Sequence, residues 1–340
     1  MLQNVFGSIF DISSYQRFIG AMPTCVNSEN SQIIKQGYLC CPKFDGTRHL
    51  WLFQSDMSLL VDRHFYVRDM PLHRNNNQHH RPKNGIYLFD TEIRQSENLA
   101  GDKIFNIYVM DLLVANGNSV VDFPFLQRWL TIGVVLEHLS LQFSTMEDHT
   151  SLPGDIDGRF KKCIIINSSM FIYHKQQFAT KYMVENYDKL ISSSGACDGL
   201  IFTKVRAPAR PFRCRNDEII KWKPKNKITC DFVVFSAGKK NVFLTNDIYG
   251  ADGFIFDDGN YVACTCHSSR QSQALLRFTN FYYDQSLEEG TVYEMLFDGS
   301  WHVLQQRSDK MNPNNVKTII QTLNTLKKVV TISDLQDLFS

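Results

Sequence analysis

The sequence predicts an α+β protein in which strands outnumber helices, and three observations carry that expectation. Short alternating or β-branched runs recur along most of the chain, at 38–41, 48–53, 58–61, 87–91, 104–113, 200–205, 219–223 and 232–235, broken by Asp, Gly and Asn. Helical period is clearest near the carboxyl end, where Val316, Ile319, Ile320 and Leu323 fall at i, i+3, i+4 and i+7 behind Pro313 and Asn314. The 340 residues, 43% hydrophobic and 21% charged, outrun the ~250 to 300 residues that one core comfortably fills, so a large domain and a smaller one are expected.

Taken in order, the strand-like runs are interrupted at 72–84 by LHRNNNQHHRPKN, a polar, turn-rich stretch that reads as an exposed hairpin loop or insertion with solvated histidines. The Lys-Pro-Lys-Asn-Lys stretch at 223–227 interrupts two further runs and places the domain break near 229, giving domains of 1–229 and 230–340. A last short helix is expected over 334–339, capped by Ser333. Lys plus Arg is 36 and Asp plus Glu is 35, so no global field draws in nucleic acid and any basic site must be local. Nine cysteines without a C-x-x-C pair argue against a disulfide framework and for a reducing compartment. Cys264-Thr265-Cys266-His267 lacks a second ligand pair at zinc spacing and reads as strand cysteines. The first ten residues lack a positive n-region and no run of ~18 apolar residues occurs, so neither secretion nor a membrane span is expected.

Asp-Gly occurs six times, at Asp45, Asp157, Asp198, Asp252, Asp258 and Asp298, and the ordinary reading of each is a tight turn between strands. Asp45 differs because it sits in Lys43-Phe44-Asp45-Gly46-Thr47-Arg48, a K-x-D-G-x-R string that arises by chance in under ~1% of chains this long. A lysine at a strand-to-turn junction can act as a nitrogen nucleophile if it sheds its proton. At pH 7 an unperturbed Lys is neutral in roughly one molecule in 2,500, so nearby cations or a metal are needed. Lys221 and Lys223 alternate on 219–223, which puts both ammonium groups on one strand face and Ile220 and Trp222 on the other. An anion such as a triphosphate would relieve their repulsion, whereas a solvated edge strand would explain them without one. Asp90, Glu92, Asp111 and Asp198 follow apolar strands, where carboxylates hold a hard divalent cation or simply cap a turn.

These strings, in this order, resemble the covalent nucleotidyltransferase superfamily of mRNA capping guanylyltransferases and polynucleotide ligases. Lys43 to Arg48 resembles the nucleophile motif, Phe89-Asp90-Thr91-Glu92-Ile93 the third, Ile107-Tyr108-Val109-Met110-Asp111 its companion, Asp198-Gly199-Leu200-Ile201 the fourth, and Ile219-Ile220-Lys221-Trp222-Lys223-Pro224 the fifth. Three stretches resemble capping enzymes in particular: Phe18 to Pro23, Leu60-Val61-Asp62-Arg63, and Trp301 to Asn314 with its Arg307-Ser308-Asp309-Lys310 core. The resemblance implies a nucleotidyltransferase domain of ATP-grasp-like antiparallel sheets with helices, followed by an OB-fold β-barrel that acts as a lid. Two positions depart from the pattern: Thr91 stands where Gly is usual, and Met110 where an aromatic ring usually stacks on guanine, so a weaker grip on the base is expected unless another aromatic such as Tyr108 substitutes.

The implied reaction has two steps. Lys43 attacks the α-phosphate of GTP to form lysyl-GMP and pyrophosphate, and the 5′-diphosphate end of RNA then accepts the GMP. Lys221 and Lys223 would stabilise the α-phosphate, and Arg307 and Lys310, with Asp309 beside them, would meet the β and γ phosphates. Asp45, Gly46, Arg48, Arg63, Met110 and Arg215 would bind nucleotide, Asp198 and Glu92 would hold Mg²⁺ or Mn²⁺, and Glu92 would alternatively bond the ribose. RNA triphosphatase and cap methyltransferase would act in trans, and a polymerase tail or elongation factor would recruit the protein. A cellular form would work in the nucleus, a viral one in the cytoplasm of the infected cell. The alternatives are an ATP-dependent DNA or RNA ligase using the same lysine, and a catalytically silent subunit that holds RNA or a partner.

Overall fold

The computed structural model describes residues 19–54, 57–70, 85–97, 100–140, 162–167, 170–189, 197–209, 216–237, 240–244, 254–257, 260–263, 287–288, 290–298, 301–308, 310, 312–314, 318, 322 and 325–340. Contacts group the chain into two units, Met1–Trp222 with Ile332–Ser340, and Lys223–Thr331. The sequence places the break near 229 and runs the second domain to the end; by contact, the closing nine residues belong with the first unit. The loop at 72–84, the Cys264–His267 string, Arg215, Asp309 and most of the helix expected over 316–323 lie outside the described residues.

The strands of the first unit are β1 (Pro23–Cys25), β2 (Tyr38–Phe44), β3 (Thr47–Gln54), β4 (Met57–Val61), β5 (Val67–Asp69), β6 (Ile86–Glu97), β7 (Lys103–Ala115), β8 (Asn118–Ser119), β9 (Lys162–Asn167), β10 (Met170–His174), β11 (Phe178–Ala179), β12 (Cys197–Lys204) and β13 (Asn216–Trp222). They form a five-stranded sheet ordered β1-β13-β12-β2-β11 and an eight-stranded sheet ordered β5-β4-β3-β6-β7-β10-β9, with β8 paired to β7. Most pairs are antiparallel; β1 with β13 and β7 with β10 are parallel. The described helices are α1 (Phe125–Ser140), α2 (Thr180–Glu185) and α3 (Ile332–Asp337). The α+β class with strands in the majority is therefore what the chain adopts.

The run Leu50-Trp51-Leu52-Phe53 is apolar at every position because β3 is buried on both faces. Leu50 and Leu52 enter one core with Val61, Leu88 and Val114, while Trp51 and Phe53 enter the other with Phe89, Ile107 and Val109 under α1. Each such side chain contributes roughly 1.5 to 3 kcal/mol on burial. Trp51 remains satisfied by donating from its indole nitrogen to Ser58 Oγ at 2.8 Å.

Helix α1 buries Phe125, Arg128, Ile132, Leu136 and Leu139, a helical stripe that starts behind Pro124. Thr131, Ile132, Val134 and Val135 are β-branched and Gly133 weakens a helix, so local propensity works against one here. Packing overrides that propensity. The His174 ring packs beside Gly133, with its centre 5.0 Å from that of the Trp129 ring. At the carboxyl end α3 begins at Ile332, so Ser333 lies inside its first turn instead of capping it. The closing segment is held to α2, where Lys181 Nζ donates to the Phe339 carbonyl at 2.9 Å and Gln336 Nε2 to that of Val184 at 3.3 Å.

Burial pushes the His174 pKa down to about 4. A depressed folded-state pKa favours the neutral ring, so its stabilising share is complete above ~6.5, the unfolded value, and is lost as pH falls from there to about 4. Urea titrations at pH 7 and pH 4 are expected to show wild type losing roughly 3 kcal/mol more than His174→Gln over that interval. Equal losses in the two proteins would remove His174 from the account.

The second unit carries β14 (Thr229–Ala237), β15 (Lys240–Leu244), β16 (Phe254–Asp257), β17 (Asn260–Ala263), β18 (Val292–Phe297) and β19 (Trp301–Gln306). They form one antiparallel sheet ordered β17-β16-β15-β14-β18-β19. Its described core gathers Cys230, Phe232, Val233, Val292 and Met295. Among the described residues no helix is long and apolar enough to cross a membrane.

Candidate active site

Lys43 stands where the chain leaves one sheet for another. Strand β2 belongs to the five-stranded sheet and β3 to the eight-stranded one, so Asp45-Gly46 is a step between sheets and not the hairpin turn that most Asp-Gly pairs make. Gly46 is demanded by a close approach: a Cβ there would lie 2.7 Å from the Ile93 carbonyl oxygen and 2.9 Å from Glu92 Cγ. Asp45 beside it is exposed.

Asp198 faces Lys43 from β12. The pairing register with β2 shifts between Cys197 and Gly199, and Gly199 adopts φ +138°, a conformation that favours glycine. That irregularity turns Asp198 toward the lysine, whose Nζ donates to Asp198 Oδ2 at 3.0 Å; the two side chains are 21% and 12% exposed. Lys221 is reached along the same sheet: Cys41 pairs with Ile201, and Ile201 with Lys221. Cross-strand partners share a face, so Lys221 lies on the face that carries Cys41 and, two residues on, Lys43. Ile220 and Trp222 are buried on the other face. β13 runs between β1 and β12 and ends at Trp222, so Lys221 does not mark a solvated sheet edge, while Lys223 lies past the strand instead of sharing its face.

One central cation was not singled out from the sequence. Lys175 follows β10 and is essentially buried, with its Nζ 3.6 Å from Glu92 Oε2, 3.8 Å from Met110 Sδ and 5.1 Å from the centre of the Phe44 ring. Burial alone pushes its pKa down, but the Glu92 carboxylate beside it outweighs this, leaving it raised and the ammonium charged. Nothing in the string His174-Lys175-Gln176-Gln177 signals this, since Glu92 is far away along the chain; only the parallel pairing of β10 with β7 brings the two together. Burial raises the Cys40, Cys41 and Cys197 thiols, so these cysteines stay protonated and are poor nucleophiles.

The remaining expected residues divide. Arg48 Nε donates to Asp90 Oδ1 at 2.8 Å and its Nη2 bonds Asp90 Oδ2, while Nη1 donates to the Ala21 carbonyl at 2.6 Å. Its guanidinium thus ties β3 to β6 and to the segment before β1. Thr91, which departs from the usual Gly, is buried and donates from Oγ1 to the His49 carbonyl at 2.9 Å, so its hydroxyl is accommodated within the sheet. Met110 is half-buried beside Lys175. The Tyr108 ring packs 4.5 Å from Phe44 and 5.4 Å from Tyr173 and is 7% exposed, a core position that does not offer a base a free ring face. Arg63 is exposed in the turn after β4, where Asp62 Oδ1 accepts from the backbone of His64 and Tyr66.

Within the second unit Lys223 Nζ donates to the Lys227 carbonyl at 3.2 Å. Arg307 and Lys310 both bond Asp231, Arg307 at 3.2 Å.

Comparison with known proteins gives this geometry its family. The family model for the mRNA capping enzyme catalytic domain matches residues 1–225, and that for the mRNA capping enzyme C-terminal domain matches residues 261–336. The chain belongs to the mRNA capping enzyme family. The mRNA-capping enzyme subunit alpha of Candida glabrata is 23% identical over 94% of this chain and 80% of its own length. The subunit alpha of Kluyveromyces lactis is likewise 23% identical over 94% of this chain and 76% of its own length. The mRNA-capping enzyme of Danio rerio is 24% identical over 92% of this chain, which spans 48% of that protein. Among solved structures, a mycobacterial DNA ligase D complexed with ATP and MES aligns over 86% of this chain and 96% of its own, at 12% identity and a TM-score of 0.44. As a member of the capping family the protein is a guanylyltransferase, a nucleotidyltransferase enzyme with the catalytic domain first and the OB-type domain second.

Proposed function

We propose that this capping enzyme transfers GMP from GTP to the 5′-diphosphate end of RNA through Lys43, a reading carried above all by the Lys43–Asp198 pair at the junction of the two sheets. In the first step the neutral Lys43 Nζ attacks the α-phosphorus of GTP. A P–N bond forms, the bond to the bridging oxygen breaks, and pyrophosphate leaves with the electron pair. In the second step an oxygen of the RNA 5′-diphosphate attacks the same phosphorus, the P–N bond breaks, and Lys43 regains its lone pair. Asp198 Oδ2 aims the amine by accepting its hydrogen bond at 3.0 Å. Lys221, on the same sheet face, suits the α-phosphate.

Lys175 supports guanine over adenine. An ammonium is a donor only, and it lies beside Met110, where the base is expected; guanine presents an acceptor oxygen at O6 where adenine presents an amino group. Glu92, engaged by Lys175, suits a ribose hydroxyl better than a cation.

Among the described residues no three His, Cys, Asp or Glu side chains group as a metal cage. A phosphate-bridged Mg²⁺ or Mn²⁺ needs only one or two carboxylates, so Asp198 fits as its protein ligand. When bound, such an ion neutralises charge on the phosphates. Arg48 and Arg63 would act on the nucleotide by shaping and charging the rim, while Arg307, Lys310 and Asp309 serve the β and γ phosphates. Triphosphatase and methyltransferase activities come from partner proteins; the subunit name of the Candida glabrata and Kluyveromyces lactis relatives supports a partner of some kind.

The deciding experiment is covalent labelling. With Mg²⁺ or Mn²⁺, α-labelled GTP is expected to leave acid-labile label on the protein and α-labelled ATP is not. Labelling from ATP alone would establish the ligase reading in its place, and label from neither nucleotide would leave a binding subunit.

A further inference from the structure

The second unit contains, wholly within itself, a charge cluster built around a carboxylate that the two-step reaction does not use. Asp231 of β14 is 5% exposed. Its Oδ1 accepts from Arg307 Nη1 at 3.2 Å and its Oδ2 from Lys310 Nζ, and Arg307 Nη1 also lies 3.5 Å from Glu294 Oε2 on β18. The Asp231 main chain is clamped on both sides by Asn314, whose Oδ1 accepts from the Asp231 N–H at 2.9 Å and whose N–H donates to the Asp231 carbonyl at 2.8 Å. Glu294 is anchored in turn, accepting from Thr229 Oγ1 at 2.5 Å and from Gln305 Nε2 at 2.7 Å. Burial pushes its carboxyl up, but those two bonds and the Arg307 and Lys223 charges outweigh burial and hold it below the usual range.

The cost of such an arrangement demands a reason. A buried carboxylate loses several kcal/mol of hydration, which ion pairs barely recover, so stability alone is a poor explanation for it. What Asp231 does supply is geometry. Arg307 and Lys310 follow β19, where the backbone is held by the Arg307 N–H donating to the Val292 carbonyl at 2.8 Å but nothing in the ladder aims the side chains, and they are like charges that repel. Sharing one rigid carboxylate sets them side by side at a spacing defined by its two oxygens, a spacing that the oxygens of a diphosphate group can then use.

We propose that Asp231 is a positioning residue for pyrophosphate: it holds Arg307 and Lys310 ready for the leaving group and is required in the step that contains pyrophosphate but not in the step that lacks it. This rests on the lysyl-GMP reading above. In the first step the P–O bond to the β-phosphate breaks as the P–N bond forms, and the two cations neutralise the charge carried off by pyrophosphate. In the second step no pyrophosphate is present, and the new bond is made by an RNA oxygen.

The test uses the full chain and the isosteric variant Asp231→Asn. Three rates are measured: adduct formation from α-labelled GTP, release of GTP from isolated adduct on adding pyrophosphate, and transfer of GMP from isolated adduct to a 5′-diphosphate oligoribonucleotide. The first two are expected to fall about 10- to 100-fold, as for displaced catalytic groups, with the third changing less than about twofold. Asn314→Ala, which loosens the clamp without removing the charge, is expected to show the same pattern more weakly, and it carries the test if the Asp231 variant does not fold. A uniform fall in all three rates, or no change in any, would overturn the proposal. If wild type itself takes no label from GTP, the failure belongs to the lysyl-GMP reading.

Discussion

Lys43→Ala and Lys43→Arg are both expected to abolish the protein-GMP adduct, but only the first is expected to disturb the site around Asp198. The alanine variant leaves Asp198 Oδ2 without the ammonium it meets at 3.0 Å, in a side chain only 12% exposed. Removing one partner of a partly buried pair leaves a poorly solvated carboxylate and a small loss of stability. Arginine can still meet Asp198, yet it stays protonated at any workable pH and so has no lone pair to offer phosphorus. Loss of labelling in Lys43→Arg with an unchanged melting curve would separate nucleophile from scaffold. Label retained in either variant would place the nucleophile elsewhere, with Lys221, on the same sheet face, the next residue to substitute.

Much of this site was legible in the sequence because its parts are local. Lys43, Asp45 and Gly46 fall within four residues, and β2, β3 and β4 appear as alternating or apolar runs within a few residues of their observed ends. Asp198 is equally legible, since it stands with Gly199 at the head of the apolar run Leu200-Ile201-Phe202. What could not be read depends on contacts between distant segments. Lys175 looks like an ordinary loop lysine until β10 pairs with β7 and carries it to Glu92. Tyr108 looks like a ring available to a base until Phe44 and Tyr173 close on its two sides. Helix α1 is hidden for a different reason, since its β-branched residues and glycine favour a strand locally and only the stripe from Phe125 to Leu139, packed on the eight-stranded sheet, decides against it. Arg307 and Lys310 were visible as a motif, but their shared carboxylate lies 76 and 79 residues earlier in the chain.

Arg128→Met is expected to be the most destabilising single change in the first unit. Arg128 is 1% exposed and meets Asp111 with two parallel bonds of 2.8 Å, and its Nη1 also donates to the carbonyls of Phe123 and Ala207, the latter at 2.9 Å. One guanidinium therefore joins α1, the turn before it, β7 and the segment after β12. Methionine fills much of the volume but supplies no donor. Asp111, itself 9% exposed, is then left charged and two carbonyls lose their partner, for which a loss of about 3 to 5 kcal/mol is expected in urea melts. Because the cost lies in the abandoned carboxylate more than in the lost attraction, adding Asp111→Asn to Arg128→Met is expected to restore at least ~1 kcal/mol. A loss below ~1 kcal/mol in Arg128→Met, or a double variant weaker than the single one, would show that water or a neighbouring group satisfies Asp111 once Arg128 is gone. Asp111 directly follows Met110, so the same strain is expected to reach the nucleotide site. A higher KM for GTP in the single variant, eased in the double one, would mark that transmission along β7.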